Sequence, residues 1–384
     1  MGKKIIAFLR ILSVFLGTVV GAGIFGLPFV AEKSGFFIIA GYFLLVTSIA
    51  ITTHLILGSV VLYTKEKYRL PGYVGKYMGD SWKKVSFFLT GAGLLGALLV
   101  YIIIGGEFLN SLLNQYIGGS PFIYSLFFFA LGSYFIFRGI KNISNAELLL
   151  LIVLLLILLS FFLKLFPFVN LKNIQPINFH YAAFPFGIIL FSLWGTAIIP
   201  EIKEMITGSF KKTRIRSGLN SVIIIGLIIS AFIYLSFVFI ILSSCGSLTS
   251  PEAISGIKSI LGAKSIITKL AFIFGVICCF TSFLALGLTL KKIFWYDFGL
   301  PKNASWLLTC LLPLVFFLAG AREFIKVINL TGAIAIGGEG IIIVLLYQKF
   351  LKNRFGRKPR KAVYLLIPIF IIGAIAEIIS LIII

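Results

Sequence analysis

Eleven long apolar runs divide the 384-residue chain, at about 8–30, 36–62, 84–113, 121–137, 146–166, 183–200, 218–243, 266–291, 304–320, 328–347 and 363–384. Each is continuous rather than alternating, and each approaches the ~20 residues that a helix rising ~1.5 Å per residue needs to cross the hydrocarbon of a bilayer. Backbone polar groups in lipid must be satisfied within the chain, so continuous apolar runs predict helices, and their lack of apolar-polar alternation excludes a β-barrel. The expected fold class is therefore an all-α polytopic membrane protein with about 11 transmembrane helices.

The polar residues between the runs set an expected orientation. Of the 34 Lys and Arg, 26 fall in the segments 1–10, 63–84, 138–147, 203–217, 291–303 and 348–362, leaving 8 for the opposite side. The positive-inside rule then predicts a cytoplasmic amino terminus, an external carboxyl terminus and the cell membrane as the location. Three connections, 63–83, 167–182 and 244–265, are long enough for interfacial structure, and none resembles a soluble domain.

Composition agrees with this picture and removes other classes. Hydrophobic residues make up 60% and charged residues 12% of the chain, against roughly 45–50% and about 25% in soluble domains. The net charge of +22 would suggest nucleic acid in a soluble protein. Here the basic residues lie in short loops, including the tract at 349–361, where they anchor topology and meet lipid headgroups, so the bilayer is the expected partner and nucleic acid is not. Cys245, Cys278, Cys279 and Cys310 have no metal-type or redox-type spacing. No phosphate loop, Ser/His/Asp arrangement or metal cluster is present, so neither ATP-driven transport nor an enzyme is expected, and no cofactor is.

Two runs oppose a regular helix. The first contains Gly21-Ala22-Gly23-Ile24-Phe25-Gly26-Leu27-Pro28, and the sixth contains Phe191-Ser192-Leu193-Trp194-Gly195-Thr196-Ala197-Ile198-Ile199-Pro200. Gly costs about 1 kcal/mol and Pro about 3 kcal/mol in a helix interior, and broken backbone at membrane depth is tolerated where it is buried or lines a cavity. Gly17 and Gly21 also form GxxxG, a helix-packing pattern, so close packing alone would account for the first motif. The second motif, offset by about 172 residues and five spans later, predicts instead paired broken helices facing each other near the bilayer centre, with residues 21–25 and 192–196 irregular. That pairing is the mark of inverted-repeat transporters. Repeat one then covers about 8–166, repeat two about 183–347, and an extra helix about 363–384, all in one transport domain.

The segment GTVVGAGIFGLPF at 17–29 resembles the first-helix signature of the amino acid/polyamine/organocation superfamily, and in particular of the hydroxy and aromatic amino acid permeases and the amino acid/auxin permeases. YRLPGYVGKYMG at 68–79, YIIIGGEFL at 101–109, FSLWGTAIIPE at 191–201 and TSFLALGL at 281–288 extend the resemblance to the eighth span. It implies a five-plus-five inverted-repeat fold of the LeuT type with an extra carboxyl-terminal helix. It also implies alternating-access uptake of an amino acid, driven by protons or sodium.

A zwitterion carries two charges that are costly to desolvate. Backbone amides around Ala22, Gly23 and Ile24 would meet its carboxylate at the start of a half-helix, carbonyls near Val19 and Val20 its ammonium, and Ser192 to Gly195 the facing side. Tyr101, Phe191, Trp194 and Phe25 could supply an aromatic pocket or gate, or simply core. Neither break holds a carboxylate, which favours a neutral or aromatic side chain. By the resemblance, the carbonyls of Gly17, Val20 and Cys278 with the hydroxyls of Thr281 and Ser282 form a five-oxygen sodium site; otherwise those hydroxyls bond their own helix. Some proton-coupled relatives put a lysine from span five there, and span five has Lys164 only at its outer end.

Three carboxylates lie within runs, where ionisable groups are functional suspects. Glu339, among Gly337, Gly338 and Gly340, is the preferred proton relay. Glu107 lies ~35 Å along span three, at the outer mouth. Glu377 is read as a dimer-contact or outer-surface residue, and His54 as a packing histidine outside the cage. An uncoupled exchanger or facilitator, a carrier of another small organic solute, a channel and a membrane enzyme remain as alternatives. The substrate, the coupling ion and the oligomeric partner are open.

Overall fold

A computed structural model describes residues 2–139, 143–174, 177–262, 265–358 and 360–383, which contain helices and turns and no strand. Nine helical runs are long and apolar enough to cross a bilayer: Phe36–Tyr63, Asp80–Ile117, Pro121–Arg138, Leu151–Phe168, Pro185–Ser209, Ile215–Leu248, Ile266–Asp297, Phe324–Phe355 and Lys361–Ser380. The pair Lys4–Val19 and Gly23–Ser34, bent by 52°, supplies span 1, and the 17-residue helix Lys302–Leu318 occupies the ninth apolar run. The helices thus answer the eleven runs one for one among the described residues.

The first break is shorter than expected. Only residues 20–22 leave the helix, so Ile24 and Phe25 already belong to the half-helix Gly23–Ser34. The Ile24 N–H closes a turn on the Gly21 carbonyl at 3.3 Å and the Phe25 N–H one on Ala22 at 3.1 Å, so one tight turn restores the helical phase. Span 6 is a helix at Pro185–Ser192, an irregular stretch 193–195, a 3-10 turn at Thr196–Ile198 and a second helix at Ile199–Ser209. Pro200 sits in the first turn of that last helix, where a missing N–H costs nothing.

Span 10 has a third irregularity that its apolar run did not reveal. Between helices Phe324–Leu330 and Gly337–Phe355 it widens into a π-helical stretch at Thr331–Ile336, a distortion that concentrates at functional sites. It lies where span 10 comes closest to span 6 backbone. A Cβ on Gly332 would fall on the Gly187 carbonyl, and one on Gly187 would lie 3.0 Å from the Asn329 Cα. Span 6 and span 10 therefore pack backbone on backbone, as small residues permit in membranes.

The long connections hold the interfacial structure expected of them: a helix at Leu70–Met78, 3-10 turns at Phe166–Phe168, Leu171–Asn173 and Phe179–Tyr181, and a helix at Ile254–Leu261. The Leu70–Met78 helix is capped from a distance. Asp297, at the end of span 8, accepts from the Arg69 N–H at 3.2 Å and the Gly72 N–H at 3.0 Å. On the exposed rim of the same loop, the Lys76 ammonium holds the Glu66 carboxyl below its usual range.

Candidate transport site

The two breaks meet. A Cβ on Gly23 would strike the Ser192 hydroxyl and come 3.1 Å from the Ser192 Cα, so only glycine fits where the half-helix of span 1 abuts span 6. Tyr234 of span 7, fully buried, ties them together. Its hydroxyl faces the Val19 carbonyl at 2.7 Å and the Ser192 carbonyl at 2.9 Å, so one hydrogen serves a helix end on each span. The Val19 carbonyl also accepts from the Gly21 N–H at 2.9 Å, whereas the Ser192 carbonyl, at the end of its half-helix, has Tyr234 as its donor.

Tyr101 lies on the other side of the first break. Its hydroxyl reaches the Ala22 backbone and the Ser282 side chain, and a Cβ on Gly21 would collide with it. Ala22, Gly23, Tyr101 and Ser192 thus converge, together with Tyr234. Ile24 is part of the same turn, but its amide is taken by Gly21 and so is not presented to a carboxylate. Gly195 is buried under Val19, whose Cγ2 lies 2.7 Å from the position of a Cβ there.

Phe191 is 8% exposed, at the end of the first half of span 6. Trp194 is half-buried, edge-on to His54 at 5.4 Å and to Phe370 of span 11 at 6.2 Å. Phe25 packs away from the break, on Phe108 of span 3 at 4.8 Å.

The five candidate ion ligands are gathered in pairs between spans 1 and 8. Ser282 Oγ donates to the Gly17 carbonyl at 3.3 Å, and the Cys278 thiol to the Val20 carbonyl at 3.2 Å. Thr281 Oγ1 donates to the Cys278 carbonyl in its own preceding turn at 3.1 Å. Three donors hence cover the three carbonyls, the internal arrangement that competes with a cation.

Glu339 is buried at the far side of the second break. Its Oε1 accepts from Trp194 Nε1 at 2.9 Å and from Thr196 Oγ1 at 2.5 Å, one residue on each side of Gly195. With Thr90, Thr196, Tyr73 and Arg69 it lines a cavity of about 20 Å³, room for about one water molecule. Below that cavity Arg69 pairs with Glu201 at 2.5 Å, and Lys292 with the same carboxylate oxygen at 3.2 Å, joining the 64–69 connection, the second half of span 6 and the end of span 8.

His54 corrects the reading that set it outside the cage. Its Nδ1 donates to the Ala50 carbonyl at 2.7 Å, which leaves Nε2 to accept from the Gly195 N–H at 2.9 Å. The neutral ring in this tautomer therefore caps the break of span 6. Glu377 is corrected too. Span 11 lies on the rim of the bundle and is mostly exposed, yet Glu377 is fully buried and accepts from the Gly187 N–H at 3.0 Å. Glu107 is half-buried, about six residues or ~9 Å beyond Tyr101 along span 3, where it feels the charge of Glu252. Lys164 is exposed.

Tyr234 had no place in the sequence reading. The available signal was a tyrosine in the middle of an apolar span, where a phenol must find a partner.

This architecture is shared with solved transporters. One is MhsT in complex with L-phenylalanine, at 17% identity, TM-score 0.66, covering 97% of this chain and 98% of that one. Another is Mhp1, a nucleobase-cation-symport-1 family transporter with bromovinylhydantoin bound, at 12% identity, TM-score 0.73, covering 98% and 89%. The fold is thus the five-plus-five inverted repeat of the LeuT type with one further helix. Among curated proteins, glutamine transporter 2 of Aliivibrio fischeri (strain ATCC 700601 / ES114) is 22% identical over 343 residues, 88% of this chain and 86% of that one. These are multi-pass membrane transporters rather than enzymes. The profile of the tryptophan/tyrosine permease family matches residues 6–377, nearly the whole length, and the chain belongs to that family.

Proposed function

We propose that the protein carries a neutral or aromatic amino acid across the cell membrane by alternating access, with its amino terminus cytoplasmic. The observation that carries this reading is the junction of the two breaks through Tyr234, because it puts the ends of two half-helices into one buried place. The amides of Ala22 and Gly23 receive the carboxylate, and the Tyr101 hydroxyl, now on the Ala22 backbone, gives way to it. The carbonyls of Val19 and Ser192, held by Tyr234, face the ammonium. Phe191 and Trp194 flank the side chain.

Proton coupling runs through Glu339. It holds Trp194 and Thr196 around the second break, so loading or losing a proton there changes the bonds of the segment that contacts substrate. The small cavity is lined by Glu339 and by Arg69, whose pair with Glu201 closes the lysine-rich side and opens for release. Sodium is the second reading, favoured by the approach of Ser282 Oγ to the Gly17 carbonyl; a cation there displaces the three internal donors.

Purified protein screened by thermal shift against the twenty amino acids, with and without sodium at two pH values, tests the reading through ligand linkage. Stabilisation by a subset of neutral or aromatic amino acids is expected. No shift with any of them contradicts it. Uptake driven by an imposed pH gradient without sodium, and lost in Glu339→Gln, supports the proton; uptake that needs sodium and is lost on replacing both Thr281 and Ser282 by Ala supports sodium.

A further inference from the structure

Glu377 belongs to no part of the site described above, and it is the most anomalous buried group in the molecule. Span 11 turns an apolar, largely exposed surface outward, yet directs this carboxyl into the bundle, with no exposed surface. One oxygen, Oε2, accepts from the Gly187 N–H in the first turn of the half-helix Pro185–Ser192. The other, Oε1, has no hydrogen-bond partner. No lysine or arginine forms an ion pair with it among the described residues.

A second buried acceptor shares the same glycine. Asn329 of span 10 lies with its backbone against the Gly187 Cα, and it is itself fully buried. Its Nδ2 donates to the Phe184 carbonyl at 3.4 Å, which fixes the amide so that Oδ1 is the oxygen left over, and Oδ1 has no partner. Turning the amide would set two carbonyl oxygens against each other. Around Gly187 there are thus two buried acceptors, Glu377 Oε1 and Asn329 Oδ1, neither of which has a hydrogen-bond partner.

We propose that Glu377 is a proton-binding carboxyl, independent of Glu339, which in its protonated form ties span 11 to Asn329 of span 10 as well as to Gly187 of span 6. A proton on Oε1 removes the charge from the membrane interior and turns one surplus acceptor into the donor that Asn329 lacks, while Oε2 keeps the Gly187 N–H. The ionised form would be a carboxylate buried inside the bundle and held by one N–H. The positive end of an eight-residue helix favours it, but desolvation of an unpaired charge opposes it more strongly. Deprotonation then loses the bond to Asn329 of span 10, while the Gly187 N–H and the Trp194–Phe370 contact still join span 11 to span 6.

The groups able to shift this balance are few. The half-helix Pro185–Ser192 contains none. From span 2, the Tyr42 hydroxyl feels the Glu377 charge. On span 10, Glu323 and Lys326 are paired with each other at 3.8 Å and exposed, and Glu339 is bound by Trp194 and Thr196. On span 11, Lys361 and Tyr364 lie about four turns away.

Glutamine separates the two charge states. In Glu377→Gln the amide oxygen accepts from Gly187 and the NH2 donates to Asn329, reproducing the protonated acid. Infrared spectra of the full protein in lipid at neutral pH should contain a protonated-carboxyl C=O band that Glu377→Gln removes and Glu339→Gln leaves. Thermal unfolding should find Glu377→Gln at least as stable as the wild type at neutral pH, with the wild type falling behind as pH rises. Identical carboxyl bands in the wild type and Glu377→Gln would overturn the proposal, as would a Gln variant less stable than the wild type across the pH range. Neither readout requires transport, so the proposal can fail while the carrier reading stands, and the reverse.

Discussion

Removing one oxygen, in Tyr234→Phe, tests whether the junction of the two breaks is the binding site or only a packing feature. The substitution keeps the ring, which lies against Phe43 at 5.9 Å, and deletes the hydroxyl shared by the Val19 and Ser192 carbonyls at 2.7 and 2.9 Å. A buried acceptor left without its donor costs about 1–3 kcal/mol. Two acceptors share one hydrogen here and Val19 keeps the Gly21 N–H, so the lower half of that range, about 1–2 kcal/mol, is expected. If the carbonyls help to hold the ammonium, this loss of order appears in ligand affinity, a weakening of about 5- to 30-fold at 1.4 kcal/mol per factor of ten. The assay is equilibrium binding of the stabilising amino acid to purified protein, alongside thermal unfolding without ligand. Lower stability with unchanged affinity would refute the assignment and make Tyr234 a strut.

Further substitutions probe the parts around that junction. Gly23→Leu should abolish amino acid binding at normal membrane insertion, because its Cβ meets the Ser192 main chain; unchanged uptake at equal expression would remove Gly23 from the site. Gly332→Ala should destabilise the bundle by at least about 1–3 kcal/mol, since its Cβ lands on the Gly187 carbonyl, and thermal unfolding would measure this. Arg69→Gln leaves Glu201 with only Lys292 and should loosen the lysine-rich side, seen as faster maleimide labelling of the buried Cys278 thiol against a Cys278→Ser control. No change in labelling would show that the ion cluster does not hold that side shut.

How far the sequence could be read follows from which forces act locally. Span positions were legible because hydrocarbon demands a continuous apolar run, and each of the eleven met a helix. The breaks were legible because Gly21, Gly23 and Gly195 lower helix stability wherever they sit. Their extent was not, since the turn from Gly21 to Ile24 closes within three residues. The π-helical stretch of span 10 escaped because the backbone it packs against, at Gly187, is 145 residues away from Gly332 in the chain. Glu339 could be singled out as an intramembrane carboxylate, whereas its bonds to Trp194 and Thr196 depend on how spans 6 and 10 cross. His54, Tyr234 and Glu377 were misplaced or missed for one reason. A polar group in a span must find a partner, but periodicity does not say on which helix.

Counterflow in proteoliposomes tests the central claim most directly. Vesicles preloaded with the stabilising amino acid should draw in the labelled form transiently and saturably, without nucleotide, and Gly23→Leu vesicles should not. Labelled amino acid that enters without saturation and regardless of preloading, or no entry of any of the twenty, would contradict a carrier built on these two broken helices.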